Sequence, residues 1–262
     1  MAFSDILNTV IKKKFKKINE FKTIRNILFV LFFIFVFMCL FSSVLYVSAV
    51  RPSGANYTEI NTSRAKAHDP QSVDAIAGNV TELNIRGYTT TQSWQGYYGN
   101  VSGTIELADS SDYVFYNWSV ASPEGEVYAS TSDNVDWASI SCFNMSNNTA
   151  LNNLETTFNI DSDDVDGVNE TFIFNNHEEF YTANNYFSSG QCSNTKLYNS
   201  SGSGIFDEVL LSDGSNIVFG SLLKEDEVGF NNKPYDFEML VLEDGHGTDT
   251  SPTSYYFYVE LE

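Results

Sequence analysis

The sequence predicts a mainly β, β-sandwich or jelly-roll-like extracellular domain behind a single N-terminal transmembrane helix. Three observations lead there. An uncharged apolar run fills residues 27–50, short stretches after residue 80 alternate apolar and polar side chains, and clusters of Asn, Asp, Ser, Gly and Pro separate those stretches. Of the 262 residues, about 210 follow the apolar run, enough to bury a core without metals or many disulfides.

Residues 1–26 carry Lys12, Lys13, Lys14, Lys16, Lys17, Lys22 and Arg25 against only Asp5 and Glu20. Ile6, Leu7, Val10, Ile11, Phe15, Ile18 and Phe21 recur at helical spacing between those lysines. The segment reads as a basic amphipathic helix on the inner membrane surface or, equally, as a plain basic flank of the next segment. That next segment, residues 27–50, is ILFVLFFIFVFMCLFSSVLYVSAV, and roughly 20 such residues cross a bilayer core. It is longer than the roughly 7–15 apolar residues of a cleavable signal, which favours a retained signal anchor in the lipid bilayer. Against this, Val47-Ser48-Ala49 offers small residues where a signal peptidase cuts, and cleavage after Ala49 would release a secreted domain. A pilin-like filament subunit is a third reading, but Lys22-Thr23-Ile24-Arg25-Asn26 places no small residue before the run for prepilin processing. The excess of Lys and Arg before the run leaves the N-terminus cytoplasmic and exports the rest of this single-pass chain. Cys39, inside the run, reads as an inert thiol.

Residues 51–80 are polar, with Pro52 and Pro70 and no long apolar pattern; they read as a stalk with a short helix near Ser63–Ala67. After residue 50 the chain holds 7 basic and 32 acidic residues, a balance of −25. Such a surface repels phosphate backbones and excludes nucleic acid as a partner.

The extracytoplasmic domain spans residues 81–262. Val101, Gly103, Ile105 and Leu107 alternate with Ser102, Thr104 and Glu106, and Val114, Tyr116, Trp118 and Val120 form a second run. Tyr235, Phe237, Met239 and Val241 alternate with Asp236 and Glu238; Tyr255, Phe257, Val259 and Leu261 alternate with Tyr256, Tyr258 and Glu260. Each pattern places one face on a core and the other in water. Residues 142–192 are less regular and read as an excursion with a short helix around Asn148–Thr156. Cys142 and Cys192, the only cysteines of the exported part, form a disulfide across it.

Candidate site residues follow from composition. Nine Asn-x-Ser/Thr matches make Asn56, Asn61, Asn79, Asn100, Asn117, Asn144, Asn147, Asn169 and Asn199 candidate glycan acceptors. Asp161, Asp163, Asp164, Asp166 and Glu170 have the carboxylate density of a calcium loop, although Val165 occupies a ligand position and Gly167 comes one residue late for an EF-hand. A solvated acidic loop is the competing reading, and no other cofactor is implied. His68, His177 and His246 read as surface residues, since none has a second His at metal-ligand spacing. Gly202-Ser203-Gly204 is too short for a hydrolase nucleophile elbow. The many exported carboxylates leave no single pair marked out for glycoside hydrolysis.

Two stretches carry a resemblance: SWQGYYGNVSGTIEL with FYNWSVASPEGEVYAS, and YDFEMLVLEDG with TSYYFYVELE. Together they resemble a family of uncharacterised archaeal membrane-anchored or secreted surface proteins. The resemblance implies an archaeal source and a tethered cell-surface β-domain, with no catalytic residue to carry over. Trp94, Tyr97, Tyr98, Tyr116 and Trp118 within these motifs anchor the core or line a sugar-binding face, because aromatic rings fill interiors and also stack on sugars. The sequence therefore predicts a membrane-anchored cell-surface protein, structural, adhesive or envelope-forming rather than enzymatic, whose partners are surface glycans or other envelope proteins. An extracellular carbohydrate-binding or carbohydrate-cleaving protein is the alternative.

Overall fold

A computed structural model describes residues 51–119, 124–244 and 252–261. The expectations for residues 1–26, the apolar run 27–50, Cys39, the cleavage position Ala49, Val120 and His246 lie outside the described residues. Among the described residues no helix is long and apolar enough to cross a membrane.

The chain is mainly β, with antiparallel sheets. Its strands run β1 (Ser53–Gly54), β2 (Trp94–Gly99), β3 (Thr104–Ala108), β4 (Val114–Ser119), β5 (Gly125–Ser130) and β6 (Ser141–Cys142). Two helices follow, α1 (Asn148–Thr157) and α2 (Val168–Thr171), then β7 (Phe180–Thr182), β8 (Asn185–Phe187) and β9 (Asn194–Tyr198). The last six strands are β10 (Gly204–Ser212), β11 (Ile217–Leu222), β12 (Glu227–Val228), β13 (Pro234–Tyr235), β14 (Phe237–Leu242) and β15 (Tyr256–Leu261).

A seven-stranded sheet in the order β1-β15-β5-β11-β10-β6, with β9 also on β10, forms the centre. One face carries Val127, Ala129, Leu210 and Phe219, which pack against Met239, Val241 and Leu242 of the β14–β2 pair and against Leu151 and Leu154 of α1. The opposite face carries Tyr128, Val209, Leu211 and Val218, covered by Val135, Trp137, Ile140, Phe180 and Phe187 from the segment between β5 and β9. The excursion therefore roofs a second core. This burial corrects the expectation that Tyr258 and Glu260 face water: both are buried, because β15 is covered on both sides.

Asp236 and Glu238 are corrected likewise. They are buried where alternation placed them in solvent. Their carboxylates accept loop amides that lack sheet partners: Val101 N–H at 2.7 Å and Asp226 N–H at 3.0 Å on Asp236, Phe230 N–H at 2.9 Å on Glu238. Glu208 of β10 similarly accepts the Leu240 N–H at 2.8 Å, and Ser221 donates to the Glu238 carbonyl at 2.8 Å. Side chains of the large sheet thus satisfy backbone groups of β14, and the two sheets are joined by hydrogen bonds as well as apolar packing.

The expected helix near Asn148 forms as α1. Asn147 caps it by accepting the Ala150 N–H. No helix forms at Ser63–Ala67, where residues 55–93 have neither helix nor strand. Five residues ending before His68-Asp69-Pro70 cannot outweigh the cost of helix nucleation without a surface to pack on. The chain also joins the fold earlier than a stalk would: Ser53 and Gly54 pair with Val259 and Tyr258, and Ala55 N–H donates to the Phe257 carbonyl at 2.9 Å.

Candidate functional site

Cys142 and Cys192 are bonded, with Cα atoms 5.1 Å apart, and tie the edge strand β6 to the end of the excursion. His177 stands beside this link and is fully buried, which corrects its expected surface position. Its Nε2 accepts the Cys192 N–H at 2.9 Å, its Nδ1 lies 2.6 Å from the Glu178 carbonyl, and its ring meets Phe180 edge-on at 5.3 Å. The ring thus bridges the Cys192 N–H and the Glu178 carbonyl. The signal was present in the surrounding sequence only as the apolar Phe180 and the half-cystine, neither of which names a histidine partner.

The nine candidate acceptor asparagines all reach the surface: eight are exposed and Asn199 is half-buried. Asn144, Asn147 and Asn199 use Oδ1 to accept nearby backbone N–H groups, which leaves the amide nitrogen free of those bonds. The acidic loop does not gather its carboxylates. Asp164 accepts the Asp161 N–H at 2.9 Å, and Glu170 pairs with the Asn169 side chain at 3.2 Å. Asp166 accepts the Trp94 Nε1–H on its carbonyl oxygen at 2.6 Å. Among the described residues no group of three His, Cys, Asp or Glu comes together to hold a metal ion. What this loop does in the fold is dock the Trp94 indole.

Two carboxylates that sequence reasoning did not single out meet in the second core. Glu126 and Glu260 are cross-strand partners on β5 and β15, and both are buried. Ala183 N–H donates to Glu260 at 2.9 Å, and the Tyr128 hydroxyl lies 2.9 Å from Thr182 Oγ1. The pair lies under the β7–β8 hairpin. It does not line either of two broad surface depressions of about 620 and 460 Å³.

The motif aromatics divide. Trp94 and Tyr97 pack against the first core, Trp94 edge-on to Phe219 at 6.4 Å, and Tyr98 rests on Phe230 and Tyr235. Tyr116 and Trp118 do not join the core. They lie on the β3–β4 hairpin, whose registered partners are Ile105↔Trp118 and Leu107↔Tyr116. These four side chains share one face and remain 52, 50, 51 and 55% exposed in the order Ile105, Trp118, Leu107, Tyr116. The rings of Tyr116 and Trp118 are 4.7 Å apart. Alternation correctly marked both strands, but the apolar face expected against a core is uncovered. The opposite face carries Thr104, Glu106, the candidate acceptor Asn117 and Phe115, which is 85% exposed, with Thr104 Oγ1 donating to Glu106 at 2.8 Å. The hairpin leaves the body at Gly103, where a Cβ would meet the end of the Leu261 side chain of β15 and that side chain would have to shift.

The segment preceding β2 is exposed along almost its whole length from Tyr57 to Thr89. Its two limbs touch where the Tyr88 hydroxyl donates to the Lys66 carbonyl at 2.6 Å and the His68 and Tyr88 rings meet at 4.6 Å. Residues 51–93 hold Arg51, Arg64, Lys66 and Arg86 against Glu59, Asp69, Asp74 and Glu82 and are neutral. From residue 94 on, only Lys196, Lys224 and Lys233 face 28 of the 32 acids that follow residue 50. Lys196 and Lys224 are already paired, with Asp207 and Glu178, both at 2.6 Å. Compared with family models, curated proteins and solved structures, the chain finds no match.

Proposed function

We propose that this chain is a membrane-anchored cell-surface protein, a structural, adhesive or envelope module with a sandwich-type β-domain outside the membrane. Residues 27–50 are its transmembrane helix, with the N-terminus cytoplasmic. The observation that carries the reading is the distribution of the nine Asn-x-Ser/Thr acceptors, all at the surface of a disulfide-closed domain. The −25 balance after residue 50 and the apolar run before it agree with export. In this reading the module is an archaeal surface protein that acts through contact rather than catalysis. It needs no cofactor, and any calcium at Asp161–Glu170 is peripheral.

Carbohydrate binding or cleavage is the second reading, favoured by the exposed Tyr116 and Trp118 rings. It fits the hairpin less well. A sugar site sets polar groups beside its stacking rings, whereas the neighbours of these rings are Ile105 and Leu107, and Glu106 lies on the opposite face. An aliphatic-aromatic face rimmed by polar residues is the composition of a protein–protein contact.

Labelling of intact cells with a membrane-impermeant amine reagent tests the topology. Lys233, exposed on the domain, is expected to label before lysis, and Lys12 to Lys17 only after it. Labelling of both sets, or of neither, before lysis would contradict the proposed orientation.

A further inference from the structure

We propose that the limb Val80–Tyr88 of one copy adds as a third strand to the β3–β4 hairpin of a second copy, so that the module assembles with itself at the cell surface. This deepens the surface-module reading and rests on it.

The hairpin supplies the acceptor. A two-stranded ribbon is marginal in water, and a third strand with a hydrophobic face makes such a unit stable. Among the described residues β3 pairs only with β4 and β4 only with β3, so each outer edge presents unpaired N–H and C=O groups. Its apolar face is complete but uncovered, and Asn117 projects on the other side, where a glycan leaves that face clear.

The limb supplies the strand. Thr81, Leu83 and Ile85 alternate with Glu82, Asn84 and Arg86, and Ile85 is 88% exposed. Among the described residues no backbone hydrogen bond is made by residues 80–90. Added to the hairpin edge, Leu83 and Ile85 extend the Ile105–Leu107–Tyr116–Trp118 face. Arg86 then falls on the side of Glu106. This is β-augmentation: main-chain bonds give affinity and alternate side chains set the register.

Charge favours a second copy as the occupant. Two bodies carrying 28 acids and 3 lysines each repel, but the segment 51–93 is neutral and holds four of the seven exported basic residues. It is the part of one copy that the acidic body of another tolerates best. Length permits the reach. About 34 residues from Tyr57 to Thr90, extended at about 3.3 Å each and doubled back, span roughly 55 Å. A body of this size has a radius of gyration of about 16 Å.

The test uses the full chain, co-expressed in two differently tagged forms. One form carries a photoreactive amino acid in place of the exposed Leu107, and intact cells are irradiated. The expected product is a mixed-tag dimer whose cross-linked peptide contains residues 80–88 of the other copy. With Leu83→Asp and Ile85→Asp in that other copy, the dimer is expected to fall about tenfold or more. Both positions are exposed, so the core is untouched. No mixed-tag dimer, a link within one copy, a link to lipid or to a different protein, or a dimer that survives the double substitution would each overturn the proposal. If those results came with lysine labelling still in the expected order, strand donation would fall and the surface-module reading would stand.

Discussion

Glu208 is the residue whose environment departs furthest from its chemistry. It is fully buried between the two sheets, Oε2 accepts the Leu240 N–H, and Oε1 has no hydrogen-bond partner among the described residues. Desolvation pushes its carboxyl well above the ordinary carboxylate range, and the Leu240 hydrogen bond offsets this only in part. The folded chain therefore keeps this proton at pH values where the unfolded chain has released it. The stability this group contributes is fully present below the ordinary carboxyl range and is lost as pH rises through and above it. Glu208→Gln, which holds the Leu240 contact without an ionisable group, is expected to lose less Tm than the wild type between about pH 5 and 8. Equal slopes for the two proteins in thermal melts would mean that Glu208 is ionised in the fold. Little of this was legible in the sequence. Glu208 drew no reading, and Asp236, Glu238 and His177 read as surface residues, because a polar letter gives no sign of the distant backbone group that it satisfies. The partners of the first three lie 32, 10 and 8 residues away or more, so no local pattern announces them.

Elements were more legible than their surroundings. The helix at Asn148–Thr157, the strands at 104–108, 114–119, 237–242 and 256–261, and the Cys142–Cys192 link all follow from local patterns. Period-two alternation reports a strand and its two faces, but not what lies on each. Ile105 and Leu107 of β3 and Phe257 and Val259 of β15 alternate alike, yet the first pair stands in solvent and the second packs on the core. The difference lies in the excursion and in β14, both remote in sequence. The disulfide closes a separation of 50 residues and holds the roof of the second core to β6. Its loss in a Cys142→Ser, Cys192→Ser double variant is expected to cost about 4 kcal/mol by the chain-entropy argument. The cost should show as a lowered midpoint in denaturant titration, equal to that of the reduced wild type. An unchanged midpoint would mean that the excursion is held by Trp137, Phe180 and Phe187 alone.

At the scale of the whole molecule, charge dominates. A body with −25 of balance, nine Asn-x-Ser/Thr motifs at its surface and a neutral, exposed limb fits the proposed surface module, in which repulsion keeps bodies apart and a single segment makes contact. The candidate contact face was half legible. Its strands and aromatics stood in the sequence, but their exposure did not, because a strand that leaves the body at Gly103 reads the same as one that stays. Intact mass of the protein recovered from membrane and medium fractions tests the proposed tethered surface glycoprotein most directly. The expected result is a full-length species in the membrane fraction that loses mass on deglycosylation and gains the mass of two hydrogens on reduction of Cys142–Cys192. A soluble, unglycosylated species that begins at Val50 would contradict it.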